Sequence, residues 1–410
     1  MIMIDKIKEA LKILNIDKYI IRNEKVKSSE LFFIKDTLDM PRYKEVETAF
    51  VTIFKKTFKE DRESMGEATV KIFPDMDIDE ITNSLSLALE TSIYAKNKPF
   101  NLADKETNVY LPIDVDLRSE ASLFAKRMLS VKVDGAFLNS FEIFATLSTF
   151  NIVTSTGTDV TFDKYSINGE FIVQSKVEED VELYKQFDYG IDNCDIENYV
   201  KESLEKAVIR SKAKRLLTSS TLRVLINGRD VAEIFEFFNS KINAGYIYNE
   251  YSDYKIGTKT PFDLTIKTVP TREFSSEGVK LRELTLLEGG VVKEISGGVK
   301  YSSYLGLKPN GIYDKLNVLD GEFDISSLQG VYLEVLEFSD FQMDTLSGQF
   351  SGEIRLGILH EDNIRIYVTG GAISGNILEN KFKLSNDRQD FERLNGPKAI
   401  LFEDVSISEA

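Results

Sequence analysis

The chain is poor in the two side chains that most often hold a catalytic metal. In 410 residues there is one histidine, His360, and one cysteine, Cys194. A single cysteine excludes an internal disulfide and fits a reducing cytoplasm. A single histidine excludes the helical zinc-peptidase site, which needs two imidazoles one turn apart with a carboxylate beside them. Long apolar runs are also missing: none reaches the roughly 18 residues that span a bilayer, so no membrane partner is expected. The opening "MIMIDKIKEALKILN" mixes charge into its apolar positions and reads as a surface helix, not a signal peptide. Cations are in deficit, 51 Lys and Arg against 67 Asp and Glu, for a net charge of −16. That field repels phosphate backbones, so direct nucleic-acid binding is not expected. The densest basic run, Arg210, Lys212, Lys214 and Arg215, reads as cations at a helix C-terminus.

What is present is a long alternation of helix-period and strand-period segments. Ile4, Ile7, Leu11 and Leu14 recur at helical spacing. "ELFFIKDT" and "EATVKIFP" read as strands. "DMDIDEITNSLSLALETSIYAK" reads as a helix capped by Asp77 or Asp79, with Ile78, Ile81, Leu85, Leu89 and Ile93 on its buried stripe. The polar "NKPFNLADKETNVYLP" is expected to close an N-terminal domain over residues 1–115. Residues 116–410 then form a second domain. It opens with the possible helix "SEASLFAKRMLSV", continues as strands joined by Thr-Gly and Asn-Gly turns, and passes through the long helix "DIENYVKESLEKAVIRSKAKRLL". The short strand "LRVLI" precedes another helix, "NGRDVAEIFEFFNSKIN". Beyond Gly257 nearly everything reads as strand and turn. The expected class is α+β: an N-terminal α/β sandwich-like domain, then a larger antiparallel-β-rich domain with a few helices.

Few residues invite chemistry. His360, in "GILHEDNIRIYV", is expected at a solvated hairpin tip. Cys194, just before a helix, is flanked by Asp192 and Asp195, which oppose a thiolate. Asp114 and Asp116 sit at strand spacing and lack the glycine and distal glutamate of a calcium loop. Carboxylates are otherwise too numerous to single out a pair. No phosphate-binding loop and no nucleophile-elbow motif occurs.

The order of weak motifs is more telling. "NIVTSTGTDVTFDKYSINGEFIVQS", "LRVLINGRDVAEIFEFFNSKIN", "TREFSSEGVKLRELTLLEGGVVKEISGGVKYSSYLGLKPNG", "SGQFSGEIRLGIL", "GGAISGNIL" and "GPKAILFEDVSIS" follow one another as in the TldD/PmbA (TldE) family, which the chain resembles over roughly residues 140–410. The family is also labelled a modulator of DNA gyrase. The resemblance implies a cytoplasmic metallopeptidase complex whose TldD-type subunit carries H-E-x-x-x-H on the helix after the buried strand, plus a cysteine ligand near the C-terminus. Here the matching helix, Arg229–Lys241, reads "RDVAEIFEFFNSK", and the matching late stretch reads "SNDRQDFERLNGPKA". Neither has the histidine or cysteine, so Glu236, Phe237 and their neighbours cannot build the site, and no metal or cofactor is expected in this chain.

The implied role is therefore that of the PmbA/TldE-type subunit, a non-catalytic partner that shapes a cleft for extended or unfolded peptides while a TldD-type subunit holds zinc. The alternatives are a hydrolase with a carboxylate and metal site outside the family pattern, and a stand-alone homodimeric peptide-binding protein. The candidate cleft residues are Ser275, Ser276, Glu277 and Gly278. Gly278 would permit a left-handed turn, the other three would order the cleft wall, and the following strands would offer an edge to a peptide.

Overall fold

The computed structural model describes the chain except for residues 1–2, 60–61, 178–181, 190–194, 218, 320, 363 and 410. Cys194 therefore lies outside the described residues. The first part contains helices α1 (Met3–Ile13), α2 (Ile78–Ser92), α3 (Leu117–Ser130) and α4 (Ile196–Arg210). Its strands are β1 (Tyr19–Ile34), β2 (Thr37–Lys59), β3 (Arg62–Ile72), β4 (Ala136–Thr154), β5 (Asp159–Ser175) and β6 (Glu182–Tyr189). They make one sheet in the order β3-β2-β1-β4-β5-β6, each neighbouring pair antiparallel.

Side chains of a strand alternate between faces, and the apolar residues here follow that period. Ile21, Leu31, Val51, Ile53, Phe141, Ile143, Ile167 and Phe171 all fall on one face and are buried. Helices α1 and α2 cover one end of this face, and α3 and α4 the other. Asp77 caps α2 in a reciprocal box with Glu80 (2.9 and 2.8 Å). Its stripe is Ile81, Leu85 and Ala88, whereas Ile93 is the exposed C-cap.

Several sequence expectations change here. The 115/116 junction falls between strands of one sheet, since β1 pairs with β4 from Ile20↔Thr154 to Ile34↔Ser140. Asn168-Gly169, expected to be a turn, runs straight through β5. A Cβ on Gly169 would lie 1.9 Å from the Glu142 carbonyl oxygen, so the glycine serves close strand approach. Asp116 is the cap of α3, accepting from Arg118 N and Ser119 N at 3.1 and 3.3 Å, not a strand residue.

The remainder contains β7 (Lys214–Arg215), β8 (Ser220–Asn227), α5 (Val231–Lys241), α6 (Ala244–Tyr248), β9 (Ile266–Val269), β10 (Thr285–Glu288) and β11 (Val291–Val292). Then come α7 (Val299–Tyr304), β12 (Lys315–Val318), β13 (Tyr332–Met343), β14 (Gln349–Glu361), β15 (Ile364–Thr369) and β16 (Ala372–Asn376). Last are β17 (Phe382–Leu384), β18 (Arg388–Asp390), β19 (Leu394–Pro397) and β20 (Ala399–Ser408). One sheet has the order β11-β10-β9-β12-β19-β18. The other runs β13-β8-β20-β16-β14-β15-β7, with β17 on β20. The two sheets and α5 share one core, in which Val224, Ile226, Val335 and Phe402 of the larger sheet meet Ile266, Leu286, Leu316 and Leu394 of the smaller. The class is α+β, with antiparallel pairing dominant. No helix among the described residues is long and apolar enough to cross a membrane.

Polar contacts tie the first sheet to this second part. Lys185 on β6 and Lys206 on α4 both reach the carboxylate of Glu337, which sits where β13 breaks register. Lys206 Nζ lies 2.7 Å from Glu337 Oε1, and Lys185 pairs with Oε2. Burial pushes the Glu337 carboxyl up, but the two ammonium groups outweigh it and hold it below the usual carboxylate range. Glu337 therefore stays ionised and neutralises buried cations. Removing it should be costly. We expect Glu337→Ala to lose about 3–5 kcal/mol, the cost of stranding a buried charge, read from chemical denaturation. A loss below about 1 kcal/mol, the level of an exposed pair, would show that the network does not hold the two parts together.

Candidate functional site

The strand β8 lies between β13 and β20 and delivers the chain, through Gly228 (φ +75°), to the start of α5. Most of α5 is apolar and buried: Val231, Ala232, Ile234, Phe235, Phe237 and Phe238. Its polar residues are spaced differently. Glu236, Asn239, Ser240 and, just past its end, Asn243 fall at i, i+3, i+4 and i+7, which is one helix face. That face borders a cavity of about 380 Å³ whose other walls include Tyr246, Tyr313, Asp314 and Arg393.

The groups in the cavity are held by one another. Asn239 Nδ2 donates to the Tyr313 carbonyl oxygen (3.0 Å) and toward the Glu236 carboxylate (3.4 Å). Ser240 Oγ donates to Glu236 Oε1 at 3.4 Å. The Arg393 guanidinium lies 3.7 Å from Glu236 Oε2 and pairs directly with Glu233. Burial raises the Glu236 carboxyl above its ordinary value, opposed by Asn239 and by the charge of Arg393. Asn243 caps α6 by accepting from Gly245 N (2.8 Å), and the Tyr246 hydroxyl meets Thr345 Oγ1 at 2.7 Å.

The two segments that the family pattern pairs are thus adjacent. Arg393 comes from "SNDRQDFERLNGPKA" and reaches α5; so does Glu392, which Arg229 holds with 2.7 Å contacts to both oxygens. Laying H-E-x-x-x-H on α5 with its acid at Glu233 puts Ala232 and Phe237 at the imidazole positions; with its acid at Glu236, Phe235 and Ser240. Neither register offers a nitrogen ligand. A guanidinium occupies the space beside both glutamates, where a divalent cation would be repelled. Among the described residues, no group of three or more His, Cys, Asp and Glu could hold a metal ion. The donor set does not fit zinc.

His360 is far from such a role. It lies in β14, one residue before the hairpin tip begins, and is only 6% exposed. Its ring stacks on Tyr332 (centroids 4.0 Å apart), and Nε2 contacts Glu334 at 2.9 Å, while Asn227 donates to the same carboxylate at 2.7 Å. The solvated reading of this residue is corrected: cross-strand packing against Tyr332 buries it.

The turn Ser275–Gly278 is placed between the two parts of the molecule. Ser275 is buried, and its hydroxyl accepts from Glu277 N and Val279 N, both at 3.2 Å. Ser276 sits half-buried at the tip. The Glu277 carboxylate accepts from Val299 N (2.9 Å) at the start of α7, and burial raises its pKa against that bond. Gly278 has φ +78°, and a Cβ there would lie 2.9 Å from Thr158 Cγ2 of the first sheet. Phe274, Val279 and Val299 join Ile20, Ile152, Val160 and Phe162 in one cluster. These four residues do not line the α5 cavity; the turn seats one part of the fold on the other.

Comparison with known proteins agrees with this geometry. A profile of the PmbA/TldA metallopeptidase C-terminal domain matches residues 219–409. Over those residues the chain is similar to that family's C-terminal domain. No curated protein matches it by sequence. Among solved structures, it is similar to TldE from Thermococcus kodakarensis, at 14% identity with a TM-score of 0.74 over 99% of both chains. A candidate modulator of a DNA gyrase from Thermotoga maritima is similar at 18% identity and TM-score 0.72, covering 99% of this chain and 100% of that one. Another, from Bacteroides thetaiotaomicron, is similar at 15% and 0.72, covering 99% and 98%. At these identities the likeness shows the shared fold.

Two measurements probe the site's supports. Asp230, at the head of α5, is raised to about 6 by burial and by Glu337, against Lys185 and Lys206. An aspartate in an unfolded chain titrates near ~3.9, so between those values the folded state keeps a proton that the unfolded state has lost. The stability it contributes is complete below about pH 4 and lost as pH rises through about 6. Asp230→Asn should flatten the denaturation midpoint across that window; an unaltered slope would refute the assignment. At the turn, Gly278→Ala should destabilise the protein by about 1–3 kcal/mol, the cost of a left-handed non-glycine residue in a crowded site. An unshifted midpoint would mean that the turn relaxes freely.

Proposed function

We propose that this chain is a non-catalytic subunit of a TldD/PmbA-like peptidase assembly, acting with a TldD-type partner that holds the zinc. Arg393 carries the reading. It comes from the late segment of the family pattern and sits on Glu233 and Glu236 of α5, supplying positive charge that a metal would otherwise supply. A cation fixed by ion pairs neutralises the carboxylates but cannot polarise a carbonyl or lower the pKa of a bound water as zinc does. The α5 cavity keeps amide, hydroxyl and carboxylate groups suited to hydrogen-bonding a peptide backbone, so the subunit can help to contain an extended substrate. The lone cysteine supports a cytoplasmic setting. The net charge of −16 supports a protein or peptide partner over direct contact with DNA.

The test is hydrolysis of a broad set of unstructured peptides by the purified chain, by a TldD-type subunit, and by the two mixed. The chain alone should be inactive with added zinc, and the mixture should cleave faster than the TldD-type subunit alone. Cleavage by the chain alone, lost in Glu236→Gln, would replace this reading with that of a hydrolase using its own carboxylate site.

A further inference from the structure

The cavity beside α5 presents acceptors that the chain itself leaves unfilled. Asn239 lines it and is only 9% exposed. Its Nδ2 is taken up by the Tyr313 carbonyl and the Glu236 carboxylate, while no hydrogen bond reaches its Oδ1 among the described residues. An amide oxygen so deeply placed is costly to leave without a donor. Asp314 lines the same cavity and follows Tyr313, the residue whose carbonyl holds Asn239. Its carboxylate meets no cation and no donor among the described residues. Glu236 completes the set. Its contacts from Asn239 and Ser240 are long, 3.4 Å, and Arg393 stands 3.7 Å away, so its oxygens have room for a stronger donor.

The cations around the cavity are already placed. Arg393 pairs with Glu233, Arg229 with Glu392, and Lys315 with Asp390 at 2.6 Å. Lys241 donates to the carbonyl oxygens of Tyr251 (2.7 Å) and Leu346 (3.0 Å). The undescribed positions include no lysine, arginine or histidine, so none of them adds a cation. An anionic chain end would have to compete with Glu233 for the one guanidinium, and would meet Glu236 and Asp314. An ammonium has three N–H donors and no acceptor, which matches two carboxylates and a free amide oxygen. It needs no soft ligand, unlike zinc, and its single charge suits Asp314, which no ion pair neutralises. One turn further along the same face, Asn243 keeps its Nδ2 free, because its Oδ1 accepts from Gly245 N. A donor there suits the first carbonyl of a peptide. At about 380 Å³, the cavity is at the small end of ligand sites, with room for a chain end.

We propose that the α5 cavity captures the free α-ammonium of an extended peptide, with Glu236, Asn239 Oδ1 and Asp314 as its acceptors and Asn243 donating to the first peptide carbonyl. The inference rests on the peptide-containing role proposed above and names its substrate class, peptides with an unblocked N-terminus.

The pentapeptide Ala-Leu-Ala-Ser-Tyr is titrated into the full chain by calorimetry near about pH 7, where its α-amino group is largely protonated. Its N-acetylated and C-terminally amidated forms are titrated beside it. The free and amidated peptides should bind one-to-one with equal affinity. The acetylated peptide should bind about tenfold more weakly or worse, from the loss of charge-assisted hydrogen bonds. Asp314→Asn, a change to an exposed side chain, and the isosteric Glu236→Gln should each keep the circular dichroism spectrum. Each should weaken the free peptide about tenfold and leave the acetylated one unchanged. No saturable binding, equal affinity for the acetylated peptide, or undiminished affinity in Asp314→Asn would each overturn the proposal. Binding lost on amidation would place the carboxylate end in the cavity and overturn it as well. The hydrolysis test fails separately: a TldD-type subunit that gains nothing from this chain, with the amine preference intact, would sink the subunit reading alone.

Discussion

The buried carboxylate of Glu337, shared between Lys185 and Lys206, is the interaction on which the arrangement of this molecule depends. The three residues come from β13, β6 and α4, so the contact crosses from the first sheet to the second part of the chain. Two ammonium groups on one carboxylate, with Asp230 close enough to feel all three, make a nearly neutral set. That is the condition under which charges can be taken out of water at tolerable cost. Apolar packing alone would leave the relative placement of the two parts loosely specified. The network fixes it, because a shift of one partner strands the others. Asp230 heads α5, so the same network sets where that helix begins.

From that start α5 runs into the common core on its phenylalanines and turns a four-residue polar stripe toward a cavity. The chemistry there is one of compensation. Glu233 and Glu236 face Arg393, and Arg229 faces Glu392. Glu233, Glu236 and Glu392 thus each face a cation supplied by the polypeptide itself. A metal-activating site has the opposite character, an excess of donors waiting for an external cation. The fold is shared with the similar solved structures, and the glutamates of α5 are neutralised within the chain.

Much of this was legible in the sequence, for identifiable reasons. α5 follows the buried strand as its 3.6-residue pattern requires, and α2 carries its reciprocal cap because Asp77 and Glu80 stand three apart. The missing histidines could be read directly. The length of β2 could not, because its residues 37–46 are exposed on both faces; nor could that of β1, whose residues 22–30 are nearly all polar and carry no period-2 apolar signal. Asn168-Gly169 reads locally as a turn, and only the approach of Glu142 from β4 reveals why a glycine is needed mid-strand. His360 looked solvated because the residues that follow it, Glu361, Asp362 and Asn363, are polar, whereas its neighbours in space, Tyr332 and Glu334, come from another strand. Ser275–Gly278 did form a tight turn, but its burial against Thr158 is a long-range fact. The stripe Glu236, Asn239, Ser240 and Asn243 was present as a spacing, hidden by the phenylalanines between its members. Lys185 and Glu337 are 152 residues apart, and nothing local to either announces the other.

The central claim is that a guanidinium, and not a metal, neutralises the glutamates of α5. Anomalous diffraction at the zinc edge, on crystals of the chain grown with zinc, tests it most directly. The account predicts no peak in the α5 cavity and the Arg393 guanidinium within ion-pair distance of Glu233 and Glu236. A zinc peak bridging those two carboxylates, with Arg393 displaced, would contradict it.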